Sequence, residues 1–257
     1  PYDFDKLLVG PKNTAPSAEY LFGTDRLGRD VFSRVLWGAR ETVGLPAIAT
    51  LLSVALGTTI GLASGYFGGW IDEIISRAVD ILLAIPALVL AMVMLTTIVP
   101  LLNSMESTFV EDIGPERISL IIVIILLYTP IVTRVIRSAT LGVRNAGFVE
   151  AAKLRGESLS YILFREILPS VLPTLAVESA LRFSYAIFLV ASLGFLGLGV
   201  QPPSPEWGRQ VLDARGLTVY QQAPWSLWFP VAAIAVLIIG INLMADGLRR
   251  YFRYDNA

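Results

Sequence analysis

Residues 42–67 read TVGLPAIATLLSVALGTTIGLASGYF, and the charge-free run around them extends from 42 to 71. A bilayer core of roughly 30 Å takes about 20 apolar residues in a helix, so this stretch is a membrane span, placed at 43–66. Within it Gly57, Gly61 and Gly65 recur every fourth residue, the spacing that lets two helices approach closely in lipid. Working outward, residues 81–105 are also free of charge. They give a second span at 75–99, with Pro86 expected as a kink that neighbouring helices tolerate. Further apolar runs place spans at 118–136, 169–198 and 227–246. The expected fold is all-α, a multi-pass transmembrane domain over 43–250 with about five spans in this chain.

Composition agrees with lipid as the solvent. Apolar residues make up 54% of the 257 and charged residues 16%, whereas soluble domains carry roughly a quarter charged residues. Mean hydropathy is +0.65. The net charge of −1 offers no basic field for nucleic acid. Cysteine and histidine are both absent, which excludes disulfides, thiolate and imidazole metal sites, and Ser-His-Asp triads. Lys6, Lys12 and Lys153 are the only lysines, and none follows a glycine-rich loop. The chain therefore cannot cradle ATP phosphates in the Walker manner. No catalytic residue and no metal site is assigned to it.

Arginine and lysine concentrate in cytoplasmic loops. Arg134, Arg137, Arg144, Lys153, Arg155 and Arg165 fall in one inter-span segment, and Arg249, Arg250 and Arg253 in the C-terminal tail. Two spans separate these regions, so both are placed in the cytoplasm, with the 64–78 turn. Alternation puts 100–117, 199–226 and 1–42 outside. Residues 1–42 hold six basic side chains, which argues against export. A further span preceding residue 1 is expected to reconcile this with a cytoplasmic N-terminus.

The cytoplasmic segment 143–168 reads VRNAGFVEAAKLRGESLSYILFREIL. Residues 147–155 suit a short helix with Glu150 near its positive N-terminal end. Gly156 is placed to end it in a left-handed turn. Ser158 can cap a second helix whose apolar face is Leu159, Ile162, Leu163 and Ile167. Pro169 then opens the next span. Ala151 and Ala152 are small enough for a partner's surface to come close. Pattern alone also allows a hairpin lying on lipid headgroups.

The run Glu150-Ala151-Ala152, with Leu154 and Gly156, then Leu168-Pro169, resembles the EAA loop of ABC importer permeases. One position departs from it: the usual Ile two before the Leu is Glu166. In that family the loop is a coupling helix that docks on the ATPase, which assigns Glu150, Ala151, Ala152, Leu154, Gly156, Leu159, Leu168 and Pro169 to coupling. FGTDRLGRDVFSRVLWGARET at 22–42, ASLGFLGLGVQPPSPEWG at 191–208 and NLMADGLR at 242–249 are similar to signatures of the C-type permeases for dipeptides, oligopeptides and nickel. The resemblance implies a second homologous permease in a heterodimer and two ABC ATPase subunits that hold the ATP and Mg. It also implies an extracytoplasmic peptide-binding protein and the inner membrane as location. The implied activity is peptide import, with a nickel chelate as the alternative substrate.

Residues 22–42 read as an interfacial amphipathic helix capped by Thr24 or Asp25. Leu27, Val31 and Val35 would share a face, and Asp30 would pair with Arg34. It is either a surface helix or a rim that meets a delivery protein, with Asp25, Arg29, Arg34 and Trp207 as docking or gate candidates. Pro202, Pro203 and Pro205 prevent the 200–226 segment from continuing a helix. Glu178 and Arg182 lie four apart within a span, where an ionisable residue marks function by default. With Tyr185 they are translocation-path candidates; a salt bridge between helices is the structural alternative. An ion-gradient-driven transporter, with Glu178 as coupling carboxylate, is a second functional class. A membrane scaffold is a third.

Overall fold

The computed structural model describes residues 2–105 and 107–254. All regular structure among them is helical, apart from an isolated bridge between Thr24 and Asp30. Helix α1 covers Val31–Phe67, α2 Gly69–Leu83, α3 Ala87–Asn103, α4 Thr108–Ile113 and α5 Pro115–Val143. Helix α6 covers Gly147–Leu154, α7 Leu159–Phe195, α8 Trp207–Ala214, α9 Leu217–Gln222 and α10 Trp225–Tyr254. Four of these (α1, α5, α7 and α10) are long and apolar enough to cross a membrane, and the pair α2–α3 makes up to five.

Contacts divide the chain into two compact units. One comprises Pro1–Ile48, Met92–Ile122 and Ser184–Gly240; the other comprises Ala49–Ala91, Val123–Phe183 and Ile241–Ala257. The second unit is built on the glycine stripe. A Cβ on Gly57 would stand 2.7 Å from Val132, and on Gly61 2.8 Å from the Thr133 carbonyl. One on Gly65 would stand 2.7 Å from Thr140. Only glycine lets α1 and α5 approach this closely. Helix α2 then folds back: Gly68 and Gly69 take φ of 64° and 57°. Asp72 on α2 accepts from Arg137 of α5 and from Ser64, and Asp80 pairs with Arg134.

Four expectations need correction. The second span is not one kinked helix: α2 and α3 are bent by 87° at residues 84–86. Pro86 lacks an N–H and pushes the preceding Ile85 out of helical geometry, so the helix stops and restarts. Pro169 does not open a new helix either. Helix α7 starts at Leu159 and continues through it, after a widened π-helical stretch at Ile162–Ile167. That wider turn accommodates the ring that a regular α-turn would meet.

Residues 22–30 do not form an interfacial helix. They make a turn closed by the Thr24–Asp30 bridge, and α1 begins at Val31. Asp30 caps α1 by accepting from the Ser33 amide at 2.8 Å and its hydroxyl at 2.6 Å, so it is not spent on Arg34. The 200–226 segment carries two short helices, α8 and α9. The preceding helix stops at Phe195, where Gly197 at φ 81° turns the chain before any proline is reached, and Glu206 after Pro205 starts a new one. Its carboxylate accepts from the Gly208 and Arg209 amides, each at 2.7 Å.

Candidate functional site

The 143–168 segment is a helix, a glycine turn and a helix. Helix α6 ends at Leu154, and Gly156 follows with φ +75°. A side chain there would be strained in this left-handed conformation. Ser158 accepts from the Tyr161 amide at 3.3 Å and so caps α7. Arg155 spans the turn, bonding Glu157 at 3.3 Å and Glu166 at 3.0 Å. Glu166, the departure from the EAA pattern, thus clips the two helices together.

One face of this knob is fixed to the second unit. Val149 and Ala152 of α6, and Ile162, Leu163 and Ile167 of α7, are buried in one cluster with Leu62, Val132 and Ile136. Leu168 packs against the same cluster. Lys153 stands 5.0 Å above the Tyr66 ring, a cation–π contact. The other face is open. Leu154 is 89% exposed, and Glu150, Ala151, Gly156 and Leu159 are exposed with it. Ala152 therefore does not offer room to a partner: it is fully buried in its own subunit. Leu159 leaves the predicted apolar face for solvent, because α7 starts there and its first turn overhangs the cluster.

Glu178 and Arg182 form an ion pair of 2.7 Å along α7. Arg182 also lies 5.9 Å from the Tyr128 ring centroid. Glu178 borders a cavity of about 570 Å³ lined by Thr174, Val177, Leu181, Arg249 and Phe252. Tyr185 lies three residues beyond Arg182 on the same helix, on the same side of it, and is 51% exposed.

In the first unit the docking candidates are interior residues. Asp25, Arg29, Arg34 and Trp207 are each buried. Asp25 accepts from the Leu27 and Arg29 amides at 2.8 and 3.0 Å and from the Arg29 guanidinium at 2.7 Å. Arg34 donates to the Phe4 carbonyl at 3.0 Å, and the Trp207 indole to the Val35 carbonyl at 2.8 Å. Their side chains pin residues 2–35 and α8 to each other, so the structure gives them an internal role where an exposed docking surface was expected. Trp225 is drawn into the same unit, donating to the Thr24 carbonyl at 2.9 Å.

Sequence reading passed over Glu206. It is 1% exposed, packed where Gly194 leaves room for its carboxylate. Burial pushes its pKa from the ordinary 4.5 to about 7, against the downward pull of the Gly208 and Arg209 amides and the Thr42 hydroxyl; Glu41 adds to the rise. An acid just before a Trp-Gly helix start was the available signal.

The model of the family of binding-protein-dependent transport system inner membrane components matches residues 57–254. This chain belongs to that family. As such a component it is a multi-pass membrane protein and a non-catalytic part of its transport system. The dipeptide transport system permease protein DppC of Alkalihalophilus pseudofirmus is 40% identical over 234 residues, 91% of this chain and 71% of that protein. The glutathione transport system permease protein GsiD of Pectobacterium atrosepticum is 36% identical over 248 residues, covering 96% and 75%. In fold, a chain of the MetNI methionine ABC transporter in inward facing conformations superposes with a TM-score of 0.63 at 17% identity, over 85% of this chain and 95% of that one. An amino acid ABC transporter chain gives 0.60 at 15% identity, over 86% and 94%. The type I importer architecture of this inner membrane component follows.

Proposed function

We propose that this chain is one permease subunit of an ATP-driven importer of short peptides. It works beside a second homologous permease, two ATPase subunits that hold ATP and Mg, and an extracytoplasmic peptide-binding protein. The 143–168 segment and the C-terminus face the cytoplasm, and residues 1–42 face outside. The observation that carries this reading is the two-faced knob. A buried apolar face joins α6 to α1, α5 and α7, and an exposed face presents Glu150, Ala151, Leu154 and Gly156. Force on the exposed face moves the span ends with it, because a packed core transmits displacement rather than absorbing it. Closure of the ATPases then biases a two-state alternation between inward- and outward-facing cavities. The names of the relatives that are 36–40% identical support a peptide cargo. Glu178, Arg182 and Tyr185 are path residues in this reading.

Gly156→Asp in the reconstituted complex tests it. Bulk at a φ of +75° distorts the turn between α6 and α7 without touching their buried faces. The expected result is a folded, assembled complex whose ATP hydrolysis no longer responds to peptide-loaded binding protein. Unchanged transport would remove the coupling assignment.

A further inference from the structure

The first unit holds a cavity of about 780 Å³, within the range of roughly 300–1,000 Å³ typical of small-ligand sites. It is lined by the start of α1, the α4–α5 corner and the loop at 200–205. Its walls are mixed in a way that a lipid-facing crevice would not be. Trp37, Ile48, Ile121 and Pro203 are apolar. Arg117 and Glu41 satisfy each other through two bonds of 2.7 and 3.1 Å, and Arg117 also donates to the Ile113 carbonyl. Three further charges line the same space without an ion pair or hydrogen bond among the described residues: Arg40 on α1, Asp112 on α4 and Glu116 on α5. Glu116 also lies in the field of Arg117, but Arg40 and the two acids are not paired with each other; charges of both signs on separate elements around an apolar floor suit a ligand carrying both charges itself.

We propose that this cavity is a binding subsite for short peptides with free termini. Arg40 takes the terminal carboxylate, a charge-assisted contact that a guanidinium makes well. Asp112 and Glu116 take the terminal ammonium, and the apolar floor takes the side chains. The assignment rests on the importer reading and adds residues to it that act on cargo within the permease. The Arg117–Glu41 pair serves as a fixed wall.

The chain has no cysteine, so Ile48→Cys puts a single thiol of this subunit in the cavity. The assembled complex carrying it is alkylated with a maleimide, without binding protein, in the presence of the dipeptide alanylphenylalanine. The peptide is expected to slow alkylation, and its N-acetylated, C-amidated form is expected not to. Adding Arg40→Gln should raise the peptide concentration needed about tenfold, the loss of one charge-assisted hydrogen bond. Asp112→Asn with Glu116→Gln should abolish the preference for a free amino end. Equal protection by free and capped peptide overturns the proposal. So does protection by binding protein alone with none by peptide. In the same preparation, ATPase stimulation by peptide-loaded binding protein reads the importer reading separately. Stimulation without thiol protection sinks only the subsite; no stimulation sinks both.

Discussion

The two units treat their signature residues in opposite ways. In the first, Asp25, Arg29, Arg34 and Trp207 turn inward and each bonds to the chain itself. In the second, Glu150, Ala151, Leu154 and Gly156 stand outside a purely apolar anchorage. A distinctive motif therefore marks either a fold requirement or a contact surface, and burial decides which. Burying a charged group is costly unless it is paired, and an exposed leucine next to a packed core is free for another molecule.

The sharpest way to break this contrast is Asp25→Ala. It strands the Leu27 and Arg29 amides and leaves the Arg29 guanidinium only Asp213, at 4.0 Å. The expected cost is about 3–5 kcal/mol, as for a broken buried ion pair, seen as failure to assemble or a large drop in melting temperature. A surface role for Asp25 would instead leave melting unchanged.

Glu206 makes the next largest difference, through pH. Its folded-state pKa is raised from 4.5 to about 7, so the folded protein binds more protons than the unfolded one between these values. Stability is highest below pH 4.5 on this account and falls as pH rises through 7, by up to about 3 kcal/mol. Glu206→Gln should flatten that slope in melting temperature between pH 5 and pH 8, measured against the parent.

Packing of the glycine stripe gives a smaller effect. Gly61→Ala should destabilise by about 1–3 kcal/mol through overpacking against α5. Gly240→Ala, where a Cβ meets nothing within 4 Å, should be neutral or slightly stabilising. Equal melting of the two variants would mean that α1 and α5 are not held at this distance.

The smallest stability effect is expected at the knob. Leu154→Ala removes an 89% exposed side chain and should move stability by less than about 0.5 kcal/mol. Its ATPase coupling should fall sharply. A stability loss without a coupling loss would assign Leu154 to the core, and with it reverse the contrast.

Much of the membrane architecture was legible because lipid imposes a one-dimensional rule: about 20 apolar residues per span. The glycine stripe, the Gly156 turn and the Ser158 cap are equally local. Residues 42–67, read alone, announce a span with one face made for close packing. What was not legible required knowing neighbours. The 87° break at residues 84–86 looks like an ordinary proline kink until α2 is seen tied to α5 through Asp72–Arg137 and Asp80–Arg134. The prolines at 202–205 hid two helices, since Glu206 as a cap needs Gly194 to leave it space.

Sequence by itself determined the solvent, most of the spans, the family resemblance and the helix–glycine–helix knob, because hydropathy, backbone conformation and caps depend on residues close in the chain. Tertiary structure alone decided which motif residues are interior. It turned Ala152 and Asp25 inward and left Leu154 and Arg40 outward, because burial and hydrogen-bond satisfaction depend on partners far away in the chain.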